Sequence, residues 1–309
     1  MCRYYDRTKL SRGWGSYAGG ETHERDRYGS AMSAPRALDV GVHLPQYGRV
    51  ASPEAITRAA RHAEELGFRD VWVSDHTVHP AAQSYPSPYL YDPLVTLTWA
   101  AAVTERVRLG TSVLVVPSHE PVGLANRLAS IDNLSGGRLV VGAGVGWSEA
   151  EYVAVGRDFR TRGRRLDEAL ELLRAAWSED PVTFHGEFTD LDEIRVLPKP
   201  AGSIPIWIGG GSDAAYRRAI RHGDGFQVIG VTPDEAAPVV DRLRQARPEP
   251  EFTISLRTGW DPQGMDPGVI RDERAAFAEA GIQHVVSAPW RNDLDDWLRS
   301  MDLLADIVG

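Results

Sequence analysis

The 309-residue chain contains a single cysteine, Cys2. One thiol cannot form a disulfide framework or a metal site built from several thiolates. No apolar run approaches the roughly 18 residues that a membrane-spanning helix requires. Basic residues are in the minority, 34 against 43 acidic ones, and no basic stripe is visible beyond the first thirty residues. We therefore expect a cytoplasmic protein that binds neither nucleic acid nor membrane.

The first 34 residues differ in character from the rest of the chain. They show no apolar period, they contain many glycines and charges, and they lack the apolar core of a secretion signal. We expect residues 1–34 to be a disordered and dispensable extension and residues 35–309 to be one domain. Met32 stands shortly before the first predicted strand, which is consistent with an over-long start assignment.

From Leu38 onward, strand-like runs alternate with amphipathic helical stretches. In the first unit a strand is followed by a helix that Ser52 caps and Gly67 ends. The predicted strands are 38–44, 70–74, 108–116, 138–142, 204–208, 225–229, 252–258 and 283–287. About eight such units indicate a parallel sheet closed into a (β/α)8 TIM barrel, an α/β fold. Residues 178–203 interrupt the rhythm as an insertion after the fourth helix; they include a hairpin and are expected over or beside the mouth of the barrel.

The active sites of such barrels lie at the carboxyl ends of the strands. The residues predicted at these strand ends, or just beyond them, include His43, Gln46, Tyr47, Ser74, Asp75, His76, Thr111, Ser112, Val113, Ala143, Gly144, Trp147, Gly209, Gly210, Gly211, Ser212, Gln227, Arg257, Trp260, Trp290 and Arg291.

The turn 209–212 is the best physical indication of a ligand. Three glycines permit close backbone approach, and amides at the start of the following helix form an anion site. Phosphate binding is favoured over a tight turn without ligand. The glycines of 142–146 do not form a dinucleotide fingerprint, because their spacing is G-x-G-x-G and no helix opens at once. They would instead let a planar ring lie against the backbone.

Asp75, His76, His79 and His43 raise the possibility of a metal, but the paired His-x-His of barrel metallohydrolases is missing. Acid–base work at the mouth is therefore preferred over a metal site and over a structural hydrogen-bonded pair. The cluster Arg160, Arg162, Arg164 and Arg165 fits a solvated basic face and a clamp for phosphate or carboxylate equally well.

Five segments resemble, in order, the luciferase-like monooxygenases: VGVHLPQ (40–46), WVSDH (72–76), LGTSVL (109–114), SGGRL (135–139) and IWIGGG (206–211). The likeness is closest to the subgroup that uses the deazaflavin coenzyme F420, and it is clear from Leu38 to Gly230.

This resemblance implies a hydride transfer between F420 and a small organic substrate, usually by a homodimer. It implies a non-prolyl cis peptide at Ser112-Val113 behind the ring of the cofactor, with Thr111 beside it. Ala143 and Gly144 would also contact the cofactor, and residues 209–212 would bind its phosphate. His43, Asp75 and His76 would surround ring and substrate, His43 or His76 supplying a proton and Asp75 orienting a histidine. Val145 replaces the Glu of sugar-phosphate dehydrogenase members, which disfavours that substrate.

Three alternatives stay open at this point. An FMN-dependent monooxygenase would use the same mouth with a separate flavin reductase as its partner. A carrier or sensor would bind the flavin or deazaflavin without turnover, although several polar groups at the mouth argue against it. A metallohydrolase ranks third.

Overall fold

Eleven strands are found in the computed structural model, which describes residues 38–82 and 87–309. They are β1 (Asp39–His43), β2 (Asp70–Val73), β3 (Arg108–Thr111), β4 (Leu114–Val115), β5 (Leu139–Gly144), β6 (Val182–His185), β7 (Asp190–Ile194), β8 (Ile206–Gly209), β9 (Gly225–Ile229), β10 (Thr253–Thr258) and β11 (His284–Ser287). The predicted extension at 1–34 lies outside the described residues.

Eight of these strands close a parallel barrel. The order is β1, β2, β3, β5, β8, β9, β10 and β11, and β11 pairs again with β1 through Val40 and Val285. β4 continues the path of β3 and pairs with β5. The predicted TIM barrel is confirmed, and all eight predicted strands lie within a few residues of the observed ones.

Nine α-helices are present in the described part of the chain: α1 (Pro53–Glu65), α2 (Pro93–Val103), α3 (Pro121–Ser135), α4 (Glu149–Ala154), α5 (Arg162–Ser178), α6 (Asp213–His222), α7 (Pro233–Ala246), α8 (Pro267–Glu279) and α9 (Leu294–Val308). None of them is both long and apolar enough to cross a membrane. The short α4 was not predicted, because six residues are too few to show a helical period.

The predicted helix signals act as expected. The Ser52 hydroxyl accepts a hydrogen bond from the amide of Ala55 at 3.0 Å and thereby caps α1. α3 ends at Gly136, whose φ of 72° lies in the left-handed region that glycine adopts without steric cost. Arg138, in the same segment, donates to the carbonyls of Ala101, Thr104 and Val107 and so ties the ends of α2 and α3 to the barrel.

One strand prediction was wrong in detail. Residues 108–116 were expected to be continuous, whereas the backbone leaves β3 after Thr111, passes through a cis peptide between Ser112 and Val113, and resumes as β4. The run is rich in strand-forming residues, so its local preferences do not reveal the break. The resemblance, however, implied this cis bond, and the structure confirms it.

The insertion contains the antiparallel hairpin β6–β7. Its tip is held against α5, since the Glu168 carboxylate accepts hydrogen bonds from the amides of Glu187 (2.6 Å) and Phe188 (3.0 Å). Residues from Phe188 to Leu191 share a pocket with the segment 116–122 that follows β4. The hairpin tip therefore lies beside the loop that leaves the third barrel strand.

The amino-terminal half of the barrel interior holds a buried ionic cluster. Asp70 accepts from His284 Nε2 at 2.9 Å and from Arg108 Nη2 at 2.7 Å, below the stacked indoles of Trp72 and Trp207. Burial alone would raise the pKa of Asp70, but its interactions with His284 and Arg108 hold it well below its usual range. This end of the barrel is thereby closed by paired charges and packed rings.

Candidate active site

His43 ends β1 at the mouth of the barrel, and its side chain is fully buried. Its Nδ1 lies 2.8 Å from the Leu44 carbonyl oxygen, and its Nε2 lies 3.0 Å from Ser74 Oγ. A carbonyl only accepts, so Nδ1 carries a proton and donates it there. Burial, and secondarily the charge of Arg257, place the pKa of His43 well below its usual range. The ring is therefore neutral at neutral pH, with Nε2 accepting from the Ser74 hydroxyl.

An aromatic wall stands beside His43. The rings of Tyr47 and Trp290 lie 5.8 and 5.4 Å from the imidazole and 5.0 Å from each other. Trp290 adopts a φ of 53°, which non-glycine residues seldom do, and the Arg257 guanidinium lies 5.2 Å from its ring centre. Trp260, which the sequence places at a strand end of the mouth, is instead a core residue whose indole donates to Glu273.

The cis peptide is held from two sides. Ser112 Oγ donates to Gln227 Oε1 at 2.6 Å, and Arg257 Nη1 donates to the Ser112 carbonyl at 2.5 Å. Gln227 lies in the middle of β9 and Arg257 near the end of β10, and no role was predicted for either from the sequence. Only the bulge brings the backbone oxygen of Ser112 towards β10.

Glycines surround the Val113 side chain. A Cβ at Gly144 would lie 2.6 Å from Val113 Cγ2, and one at Gly209 would lie 2.5 Å from Val113 Cγ1. Both positions therefore require glycine, because any larger side chain would clash with Val113. Thr111 and Ala143 are buried in the neighbouring strands, where Thr111 Oγ1 donates to the Gly142 carbonyl at 2.8 Å.

The turn after β8 is accessible. Gly209 and Gly210 are half-buried, Gly211 and Ser212 are exposed, and Gly210 has a φ of 139°. The Ser212 hydroxyl accepts from the Ala215 amide at 3.2 Å and caps α6. An open helix N-terminus preceded by glycines is chemically suited to a phosphate group; phosphate binding here stays a prediction.

The hydrogen-bond partners of Asp75 and His76 do not include His43. The Asp75 carboxylate accepts from the Val115 amide and from His119 Nε2, both at 2.9 Å. The histidine that Asp75 orients is thus His119, which the sequence did not single out because it lies four residues beyond the strand end. His76 Nδ1 pairs with Glu151 Oε1 at 2.7 Å on the newly found α4.

A separate rim cluster forms around His76. The rings of His79 and Trp147 lie 5.4 and 5.8 Å from it, and Trp147 is largely exposed. Burial, followed by the neighbouring His76, lowers the pKa of His79. Across 38–82 and 87–309, no group of three or more His, Cys, Asp or Glu side chains is arranged to hold a metal ion.

The mouth thus combines a neutral imidazole, an aromatic wall, a cation and a cis-peptide bulge on a closed parallel barrel. The family model for luciferase-like monooxygenases matches residues 18–263. The chain belongs to this family and is an oxidoreductase or monooxygenase of its kind.

Two relatives illustrate the range of sequences. An uncharacterized protein of Mycobacterium tuberculosis is 33% identical over 266 residues, which cover 80% of this chain and 91% of that protein. An F420-dependent glucose-6-phosphate dehydrogenase of Kineococcus radiotolerans is 37% identical over 179 residues, 57% of this chain and 52% of that protein.

Two solved structures share the fold. An F420-dependent secondary alcohol dehydrogenase, in complex with an F420-acetone adduct, superimposes with a TM-score of 0.74 at 19% identity, covering 88% of this chain and 98% of that one. The FMN-bound oxygenating constituent of 3,6-diketocamphane monooxygenase, from Pseudomonas putida, gives a TM-score of 0.71 at 16% identity with the same coverage.

Proposed function

We propose that this protein transfers a hydride between coenzyme F420 and a small organic substrate. The observation that supports this most directly is the buried, neutral His43 at the mouth of the barrel, with the charge of Arg257 acting on it. The kinship with F420-dependent dehydrogenases supports the same cofactor.

The residues present fit such a cofactor. The glycine turn 209–212, at the start of α6, would hold its phosphate, and Thr111, Ser112, Val113, Ala143 and Gly144 would form the surface under its ring. When bound, the deazaflavin supplies the hydride-transfer chemistry, while the protein positions and shields it.

Side chains at the mouth would move a proton, exclude water and stabilise charge. His43 Nε2 is the unprotonated, basic atom of a neutral imidazole and, with the Ser74 hydroxyl that donates to it, would form a path for a proton at the mouth. Tyr47 and Trp290 exclude water on the same side. Arg257 adds a fixed positive charge near the bulge, which favours any negative charge that develops there.

The substrate is not a sugar phosphate in this proposal. At Val145 the side chain is apolar, and its carbonyl is occupied by the hydroxyl of Tyr152 at 2.6 Å. The resemblance implied a glutamate at this position in members that act on sugar phosphates, and no carboxylate stands here. An apolar substrate carbon next to Trp290 and Tyr47 fits the wall better.

An FMN-dependent monooxygenase supplied by a separate flavin reductase is the second candidate. The FMN-bound neighbour has the same barrel, and a glycine turn would accept the phosphate of either cofactor. A titration of the purified protein with F420 and with FMN, following each chromophore, separates the two. We expect F420 to bind at least about tenfold more tightly; tight FMN binding without an F420 response would favour the monooxygenase.

The catalytic part of the proposal is tested by His43→Ala. Because general acid–base groups contribute about 10²-fold or more to turnover, the variant should lose activity by that factor while still binding F420. His185→Ala, on the exposed β6, is the matched control and should stay at the wild-type rate. An unchanged rate in His43→Ala would remove this residue from the mechanism.

We also propose that the protein is a cytoplasmic homodimer. The exposed side chains of α2 include Val95, Thr98 and Trp99, and no residue of α2 carries a charge, as expected for a surface that packs against its own copy. Light scattering coupled to gel filtration tests this, with Trp99→Glu expected to shift the mass from dimer to monomer.

A further inference from the structure

A second pocket, of about 360 Å³, lies away from the residues proposed for cofactor and catalysis. It is enclosed by the segment 116–122, the first half of α5 and the tip of the β6–β7 hairpin. Val116, Pro121, Phe188 and Leu191 give it apolar walls. The volume is within the range of pockets that hold small organic molecules, roughly 300–1,000 Å³.

The three carboxylates that line this pocket already have partners. Glu120 accepts from the amides of Val122 (2.8 Å) and Gly123 (2.6 Å) at the start of α3. Glu168 accepts from the amides of the hairpin tip. Asp190 pairs with His185, whose pKa this hydrogen bond raises. None of the three forms a direct hydrogen bond with Arg157 or Arg165, although the charge of Glu168 acts on Arg165.

Two arginines, Arg157 and Arg165, line the same pocket. Arg165 donates from Nε to Thr161 Oγ1 at 2.9 Å and stacks on the Phe188 ring at 4.0 Å. Among the described residues, no carboxylate oxygen lies within 4.0 Å of the guanidinium of Arg165 or Arg157. Burial and then the repulsion from Arg157 lower the pKa of Arg165, while the charges of Glu168, Asp158 and Glu187 oppose this shift without cancelling it.

We propose that this pocket binds a small organic carboxylate, with its anionic head between Arg157 and Arg165 and its apolar body against Val116, Pro121 and Leu191. Two guanidinium groups present planar forks of donors that match a carboxylate, and an anion between them relieves their mutual repulsion. The apolar walls favour an aliphatic or aromatic acid over an inorganic anion.

The pocket extends to the residues that hold the end of β4 at the mouth of the barrel. His119 lines it, and His119 Nε2 donates to Asp75, which also accepts from the Val115 amide. A carboxylate bound here would contact the side chains that hold the end of β4, while the proposed positions of ring and phosphate stay outside the pocket.

The test is a calorimetric titration of the full-length protein with hexanoate at constant ionic strength, with hexanol and inorganic phosphate as comparison ligands. We expect hexanoate to bind more tightly than both. Arg157→Ala and Arg165→Ala should each weaken hexanoate at least about tenfold, because each removes a charge-assisted hydrogen bond. Arg160→Ala, an exposed neighbour outside the pocket, should change the affinity less than about twofold.

Arg165 also packs on Phe188, so Arg165→Lys is included as a variant that keeps the charge and loses the fork. It should bind hexanoate with an affinity between wild type and Arg165→Ala. Equal affinity of wild type and Arg157→Ala, or hexanol binding as tightly as hexanoate, would overturn the proposal. So would loss of hexanoate binding on saturation with F420 or FMN, since the pocket would then belong to the cofactor site; F420 binding itself is measured separately.

Discussion

The neutral state of His43 follows from its surroundings. Its ring is enclosed by Tyr47, Trp290 and Ser74, its Nδ1 faces a carbonyl, and Arg257 lies nearby. A second proton would have to enter a dry site beside an existing positive charge. Burial is the larger of the two effects that lower the pKa, and the arginine adds to it.

This state predicts a pH dependence of stability. The unfolded chain protonates His43 below about pH 6.5, whereas the folded chain does so only at a lower pH. The resulting stability is therefore fully present above about pH 6.5 and is lost as the pH falls towards the folded pKa, with a slope of at most about 1.4 kcal/mol per pH unit. Urea unfolding between pH 5 and 7.5 measures it.

The His43→Gln variant should show a flatter pH profile than the wild type over this range. His185→Gln is the control, because the hydrogen bond to Asp190 raises the pKa of that exposed histidine and its removal cannot flatten the profile. Parallel profiles for wild type and His43→Gln would contradict the neutral assignment.

At the level of single elements, the bulge between β3 and β4 determines which neighbours must be glycine. A methyl group at Gly144 would lie 2.6 Å from Val113 Cγ2, too close for either side chain to stay in place. We expect Gly144→Ala to lower the free energy of unfolding by about 1–3 kcal/mol, as overpacking does.

Replacing Val113 by alanine should remove the clash with a methyl group at position 144. If the clash is the cause, the double variant Gly144→Ala/Val113→Ala should be more stable than the sum of the two single changes predicts, with a coupling of about 0.5–3 kcal/mol. Chemical unfolding of all four proteins measures this cycle, and additive effects would show that Val113 is not the obstacle.

The end of β4 depends on a different pair. Asp75 holds both the Val115 amide and His119, so we expect the carboxylate to act by positioning the strand end. We expect Asp75→Ala to lower turnover about 10²-fold, His119→Ala to lower it less, and the double variant to match Asp75→Ala alone.

The KM-against-kcat split and the affinity for F420 distinguish this positioning role from general damage. His76→Ala, which breaks the pair with Glu151 at the rim, is the comparison. Multiplicative losses in the Asp75/His119 double variant would show that the two side chains work independently.

At the level of the whole molecule, the barrel is defined by residues 38–309. All eight barrel strands, with the mouth that they carry, lie in this part of the chain. We therefore expect a chain that begins at Met32 to fold with an unchanged midpoint of thermal unfolding and to bind F420 with unchanged affinity. Loss of either would show that residues 1–31 contribute to the domain.

Much of this architecture was accessible from local sequence. Ser52, Gly67 and Gly136 mark helix ends through their own backbone and capping chemistry, and these signals do not depend on distant residues. About eight alternating strands and helices then favoured a parallel sheet closed into a barrel. The short α4 was missed because six residues are too few to show a helical period. The break at Ser112 was implied by the family resemblance and not by the local strand pattern.

By itself, the sequence determined the barrel and the residues at its mouth, since hydrophobic period and turn chemistry act over a few residues. Only the tertiary structure decided which of those residues meet. It turned Asp75 towards His119 and His76 towards Glu151, and it enclosed His43 beside Trp290 and Arg257. These partners lie up to about 250 residues apart in the chain, and closure of the barrel fixes their contacts through directions that no local pattern encodes.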